Sequence, residues 1–291
     1  MFPIVRLFKL GSEIELIGFR RITVILSALL VLGSIALYAL VGLNLGVDFK
    51  GGIKVAVRFS EEPSLADVRS KVEALNLGPV SVQNFDKPTD ALIILPVQEG
   101  SDNSNQLAVT ALKDALGSDV AEYLSTEAVG PTVSGELFRA GMMATALALL
   151  SIALYVAFRF EWRFALGALV ALSHDVITTI GLFCLLQLEF NLATVAAVLA
   201  IAGYSINDTV VVFDRVREEI RKYREKPVDQ IFNLALNRTL ARTVVTSVTT
   251  LLALIALLAF GGPVIRDFSI ALIWGVVIGT YSSIFLATPM L

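Results

Sequence analysis

Cysteine and histidine are almost absent from this sequence: its 291 residues contain one of each, Cys184 and His174. A single cysteine excludes an intrachain disulfide, and a single histidine excludes a multi-histidine metal centre built by this chain alone. Charge is scarce too, at 17% of residues against 56% hydrophobic, with a mean hydropathy of +0.76. That balance excludes an ordinary soluble domain. No glycine-rich phosphate loop leads into a helix, and the polar part of the chain has no catalytic constellation, so an enzyme is not expected and no cofactor is called for. The formal net charge of −3 and its distribution argue against a nucleic-acid ligand.

What the sequence has in abundance is long apolar runs. They predict an α-helical polytopic membrane protein with six spans, at 22–43, 138–158, 164–186, 192–213, 243–261 and 268–290. Each is about 19–23 residues, enough at ~1.5 Å per residue to cross a ~30 Å hydrocarbon core. The first run, Ile22 to Leu43, is too long for a signal-peptide core and is followed by no small-x-small cleavage site, so it reads as a retained span. The sequence ends at Leu291 without the basic tail that normally anchors a last span, and a longer form is expected.

Basic residues orient the chain. Arg20 and Arg21 precede the first span, and Arg159 and Arg163 bracket the second turn. The segment 214–242 carries Arg215, Arg217, Arg221, Lys222, Arg224, Lys226, Arg238 and Arg242. These fall on one side when both termini are cytoplasmic, with residues 1–21 as an inner N-terminal segment and 44–137 as an outer domain. The outer domain holds 14 acidic and 7 basic residues. The basic segment from Asp214 to Lys226 reads as an amphipathic helix along the inner surface, against anionic lipid headgroups.

Within the outer domain the periodicity changes. Lys54–Phe59 alternates as a strand, Ser64–Leu77 has helical spacing with Ser64 as N-cap, and Val80–Phe85 and Ala91–Val97 read as strands about a turn at Asp86-Lys87-Pro88. Asn103–Leu116 is a second amphipathic helix and Ala121–Thr126 a last strand. The order β-α-β-β-α-β is the α+β ferredoxin-like pattern. Two helices on one face of a sheet leave the other face or an edge open to an extended chain or another domain.

The residues that carry chemistry lie in the spans. Asp208, with Asn207 beside it, falls inside the fourth apolar run, where a charged side chain costs about 2.5–3.5 kcal/mol on insertion scales and usually lines a polar path. Tyr204 and Ser205 share its face. His174 and Asp175 lie about 18 Å along the third span, with Gly167, Ala171 and Asp175 on one small-residue face. They read either as an interhelical hydrogen-bond pair or as a station on a proton path. Thr243, Ser247 and Thr250 form a polar stripe on the fifth span, and Arg242 enters at roughly the depth of Asp208, so an Asp208–Arg242 pair is expected. An arginine that moved would switch the aspartate between holding and releasing a proton; one charge crossing 100 mV is worth ~2.3 kcal/mol, nearly a fifty-fold bias. Gly275 and Gly279 form a GxxxG suited to helix packing. Gly46, Asp48, Gly51 and Gly52, just outside the first span, read as a helix-to-strand connector.

Together, Gly46-Val47-Asp48-Phe49-x-Gly51-Gly52, Val129-Gly130-Pro131 with Gly135-Glu136-Leu137, Tyr204–Asp208 with Asp214-Arg215, Arg242-Thr243, and Gly279-Thr280-Tyr281-Ser282-Ser283 resemble the SecD/SecF protein-export family over essentially the whole chain. The resemblance implies a membrane half of the resistance-nodulation-division type in the bacterial inner membrane, with a periplasmic ferredoxin-like domain. It implies partnership with SecD, the SecYEG translocon and YajC, and use of the proton-motive force to draw unfolded exported polypeptides outward, with a proton or a sodium ion as the coupling ion. It assigns the coupling carboxylate to Asp208 and its arginine to Arg242, and the histidine-aspartate pair to His174 and Asp175. Lys50 and Val248 stand where small or polar residues are expected. The competing readings are a small-molecule exporter half and a purely structural assembly subunit.

Overall fold

The structure, a computed structural model, describes residues 14–98 and 103–291, so most of the inner N-terminal segment lies outside the described residues. Six helices are long and apolar enough to cross a membrane: Ile17–Leu40, Pro131–Arg159, Trp162–Leu186, Leu192–Lys222, Val228–Phe260 and Arg266–Met290. In chain order the elements are α1 (Arg20–Leu40), β1 (Asn44–Leu45), α2 (Val47–Lys50), β2 (Gly52–Phe59), α3 (Leu65–Glu73), β3 (Ser81–Asn84) and β4 (Asp90–Leu95). They continue with α4 (Asn103–Leu116), β5 (Val120–Val129), α5 (Pro131–Arg159), α6 (Trp162–Leu186), β6 (Glu189–Phe190), α7 (Leu192–Lys222), α8 (Val228–Phe260) and α9 (Arg266–Ser282).

Between α1 and α5 the chain builds an antiparallel sheet in the order β3-β4-β2-β5. β2 lies inside the sheet, between β4 and β5, and its Ile53, Val55, Val57 and Phe59 alternate onto one face. There they meet Ile93 and Leu95 of β4, Val68 and Val72 of α3, and Val109, Leu112 and Leu116 of α4. Each such side chain contributes about 1.5–3 kcal/mol when fully buried. Ser64 caps α3 by accepting from Asp67 N at 3.4 Å. On the opposite face Arg58 grips the buried Asp90 with two bonds of 2.9 and 3.0 Å, tying β2 to β4. The last strand reaches Val129, beyond its expected limit, because β5 pairs with β2 along its whole length. Pro131 then starts α5 at once, its fixed φ and missing N–H suiting a first helical turn.

In the membrane bundle, α6, α7 and α9 form the inner layer, and α1, α5 and α8 lie mostly outward. The expected inner-surface helix over 214–226 is not a separate element. α7 runs straight on to Lys222, α8 begins at Val228, and only Tyr223–Pro227 intervenes. The extension stays upright because Glu219, fully buried, is clasped by Arg215 at 2.9 Å and by Arg238 of α8. Pro227, which cannot continue a helix, precedes α8. The N-terminal residues dock on the same end: Ile17 N donates to Asn233 at 2.9 Å, Ile14 N to Asn237 at 3.1 Å, and Arg20 pairs with Asp229 at 2.9 Å. Arg159 pairs with Asp214 there too, at 3.0 Å. The basic clusters thus share one end of the bundle, and the sheet domain caps the other.

The Arg58 guanidinium bonded to Asp90 holds that carboxyl below the usual carboxylate range. A depressed carboxylate stabilises the fold above its unfolded-state value, and the contribution is lost as pH falls through the folded one. Asp90→Asn is therefore expected to cost about 1–2 kcal/mol at neutral pH. In thermal unfolding of the detergent-solubilised chain, the variant should lose less stability than the wild type on acidification below about pH 4.

Candidate functional site

Asp175 lies at the centre of the inner layer with none of its surface exposed, and His174 beside it is 3% exposed. On the small-residue face expected on α6, two turns before Asp175, a Cβ at Gly167 would stand 3.0 Å from the Ala287 carbonyl oxygen, so the glycine lets the turn after α9 approach. His174 Nδ1 lies 2.9 Å from Asp175 Oδ1. The other carboxylate oxygen accepts from Ser205 of α7 at 2.5 Å and from Ser282 of α9 at 2.7 Å. With the ring proton on Nδ1, Nε2 is left buried without a hydrogen-bond partner.

Asp208, half-buried, is held the same way. Its oxygens accept from Thr243 of α8 at 2.7 Å and from Ser283 at 2.5 Å. Ser283 opens the π-helical turn Ser283–Ala287 that follows α9. Such turns occur frequently at functional sites. Adjacent serines thus serve different aspartates, giving the series Asp175–Ser282–Ser283–Asp208. Around it Tyr204 donates to Ser247 at 3.0 Å, and Ser247 lies 2.7 Å from the Thr280 hydroxyl. Hydroxyls therefore connect α7, α8 and α9 in a belt beside the carboxylates.

The expected Asp208–Arg242 pair is not formed. Arg242 is exposed and pairs with no carboxylate among the described residues. Neighbouring helix positions point about 100° apart, so with Thr243 and Ser247 turned inward, Arg242 faces outward. Its long stem carries the charge away from the apolar layer. Asn207 is likewise exposed, one position from Asp208. The structure brings together His174, Asp175 and Asp208, but not Asn207 or Arg242.

Ser205, Ser282 and Ser283, which hold the carboxylates, stood in the quoted motifs without a role. A signal for one of them was present. Ser282 follows Gly275 and Gly279 at helical spacing, so the GxxxG face and the serine face coincide. A Cβ on Gly275 would lie 2.1 Å from Ile201, and one on Gly279 3.1 Å from the Ser205 Cβ. The glycines bring α9 against α7 where Ser205 meets Asp175.

Gly46, Asp48, Gly51 and Gly52 lie elsewhere, at the outer end. They do more than connect: Asp48 accepts from Leu192 N at 2.9 Å and caps α7, and Gly46 N donates to Phe190 O at 2.9 Å. Asn44 and Leu45 pair in parallel with Glu189 and Phe190.

Chemically, a cage of hydroxyls differs from a fixed guanidinium. A guanidinium only donates and so serves only an ionised carboxylate. A hydroxyl both donates and accepts, so the same cage serves a carboxylate with or without a proton, or bonds a small cation through oxygen.

A family model described as "Protein export membrane protein SecD/SecF, C-terminal" matches residues 108–291, and one described as "SecD/SecF GG Motif" matches residues 40–62. The protein translocase subunit SecF of Rickettsia rickettsii (strain Sheila Smith) is 41% identical over 296 residues, covering 100% of this chain and 94% of that protein. The same subunit of Rickettsia bellii (strain OSU 85-389) is 40% identical over 296 residues, covering 100% and 96%. Among solved structures, SecDF, a translocon-associated membrane protein from Thermus thermophilus, overlays with a TM-score of 0.84 at 34% identity over 100% of this chain. This chain spans 39% of that longer one. SecDF in a super-membrane-facing form overlays with a TM-score of 0.65 at 36% identity, covering 94% of this chain and 38% of that one. With a family model over most of its length and relatives matched end to end, the chain belongs to the SecD/SecF family of protein-export membrane proteins.

Proposed function

We propose that this chain is the smaller half of an ion-coupled SecD–SecF complex, in which proton movement through the membrane helices drives the outer domain to promote polypeptide export. The observation that carries the reading is the pair Asp175 and Asp208, bridged by adjacent serines and caged by hydroxyls, with the His174 ring 2.9 Å from Asp175. Intramembrane carboxylates so arranged mark ion pathways.

Partnership with SecD rests on the overlay with part of a longer SecDF chain. A second support is the outward face of α7, where Ala196, Ala200, Gly203 and Asn207 are exposed at helical spacing. Small residues with one amide form a surface for close packing against another membrane helix. The basic end is the cytoplasmic one by the positive-inside rule, which puts the ferredoxin-like domain in the periplasm of a bacterial inner-membrane protein. Action beside the SecYEG translocon, with YajC, on unfolded exported chains follows from the family. The lower overlay with a SecDF form at similar identity supports an architecture that takes more than one arrangement.

Asp208→Asn, in vesicles containing the whole complex, is expected to lower export driven by an imposed proton gradient at least about tenfold while leaving co-purification with SecD intact. Unchanged export would dismiss coupling through Asp208, and loss of SecD association would make the residue structural. Replacing Na⁺ by K⁺ should leave the rate unchanged if the ion is a proton.

Removing one hydroxyl should be milder. Ser283→Ala or Thr243→Val leaves Asp208 one donor short and is expected to slow gradient-driven export about three- to tenfold, with an altered pH profile. Thr250→Val on the same helix, outside the cage, serves as the control and should behave as wild type.

A further inference from the structure

The sheet domain and its connector meet the membrane helices through the β5–α5 continuation, through Phe49 packed on Phe138 of α5 and on Phe190, and, at the α6–α7 turn, through two polar contacts. One is the backbone pairing of the connector, Asn44–Gly46 against Glu189–Phe190. The other is an ion pair from the sheet itself, Lys54 of β2 with Glu189 in the α6–α7 turn. It is well shielded, with side-chain exposures of 13% and 22%, and is the one ion pair between the sheet and the α6–α7 turn among the described residues. Glu189 reaches it by lying over Gly46, where a Cβ would stand 2.5 Å from Oε1. That oxygen is buried with no hydrogen-bond partner.

The turn is a junction. Glu189 N donates at 2.8 Å to Asp267, at the start of α9, and the connector's Asp48 caps the start of α7. These are the outer ends of the two helices that carry Ser205 and Asp208, and Ser282. A shift of either helix along its axis is felt at Glu189.

Lys54 has a second carboxylate within its own sheet. Glu127 of β5 is its register partner, and cross-strand neighbours have Cβ atoms about 4.5–5.5 Å apart. Burial holds the Glu127 carboxyl above the usual carboxylate range, Lys54 draws it down, and Glu189 and Asp48 push it up. Lys54 is thus bonded to Glu189 and faces Glu127 across the strand pair, with Lys50 exposed in a cleft that Lys54 and Glu189 also line. The connector between membrane and sheet bends at glycines: φ is +77° at Gly42, +75° at Gly51 and +124° at Gly52.

We propose that Lys54 is an exchange latch: bonded to Glu189 it docks the outer domain on the ends of α7 and α9, and by transfer to Glu127 it releases the domain. Exchange matters because simple rupture would strand a shielded charge, whereas transfer keeps the ammonium paired in both states and so lowers the cost of undocking. The glycine-flanked connector and the direct β5–α5 continuation then remain as the domain's two tethers. Lys54 and Glu189 act as positioning residues for the export cycle, and the inference rests on the ion-coupled reading above.

The test uses the complete complex in vesicles, with two readouts. One is gradient-driven export. The other is the distance distribution between spin labels at Ser118→Cys and Phe260→Cys in a Cys184→Ala background. Lys54→Glu and Glu189→Lys singly are expected to broaden the distribution and lower export about tenfold. The double variant K54E/E189K restores the narrow resting distribution but not export, because the carboxylate it places on β2 has no cation on β5 to exchange with. Adding Glu127→Lys to that pair restores export to within about threefold of wild type. Restoration of both readouts by the double variant alone would make the pair a static tie and overturn the exchange, as would single variants without effect on either. Asp208→Asn is run alongside: if it abolishes export while the latch variants do not alter it, the latch fails and the coupled reading stands. If Asp208→Asn is also without effect, the coupled reading itself fails.

Discussion

Hydrocarbon offers no hydrogen-bond partner, and that constraint organises this molecule. Each unsatisfied polar group in a lipid interior costs several kcal/mol, so Asp175 and Asp208 require donors from other helices of the same bundle. The donors are hydroxyls, and a serine reaches only a short distance from its backbone. Helices α6, α7 and α9 must therefore approach closely, which explains Gly275 against Ile201 and Gly279 against Ser205. Carboxylates, serines and glycines form one requirement met three ways.

The same constraint separates inner from outer helices. α6, α7 and α9 bury their polar groups among themselves, while α1, α5 and α8 present apolar side chains outward. α8 belongs to both sets: Thr243 and Ser247 are buried toward the carboxylates, and Arg242 and Val245 are turned away. Toward the basic end its packing changes character. There Glu219, wholly buried, holds Arg215 and Arg238, and the Phe160, Phe164 and Phe213 rings cluster with centroids 5.2–6.0 Å apart. That end is built as a fixed base. The site above it is built from hydroxyls that can reverse their bonds.

How much of this was legible in the sequence follows from the range of each interaction. Helix and strand identities rest on local periodicity, so the apolar runs and the alternation of Lys54–Phe59 were readable. Asp208 and Asp175 were readable because a charge in an apolar run is an energetic exception wherever it occurs. Their partners, apart from the serine face that Gly275 and Gly279 mark, were not, because pairing depends on helix azimuth. Arg242 and Thr243 differ by one position, and only the packing of α8 on α7 decides which faces inward. A formal-charge argument favoured arginine; the geometry favours the smaller hydroxyl. The upright extension of α7 was missed for a similar reason, since Glu219 looks like a surface residue until Arg238 is brought to it from α8. The short β1–β6 pairing had no signal at all, two-residue strands being below any periodicity.

The position of the junction completes the physical argument. An event at Asp175 or Asp208 changes bonds made by Ser205, Ser282 and Ser283, which sit about 20–26 Å from the outer ends of α7 and α9. A helix is stiff along its axis, so a small change of packing at the serines appears at those ends as a displacement rather than being absorbed. What meets the ends is the α6–α7 turn, held to α9 through Asp267 and to the outer domain through Asp48 and Lys54. A tightly packed interface has discrete arrangements rather than a continuum. The glycine-bearing α7–α9 contact therefore shifts between registers or does not shift at all. Transmission to the outer domain needs no flexible relay under these conditions: it needs two rigid helices, one shared turn, and a contact at that turn able to exist in two paired states.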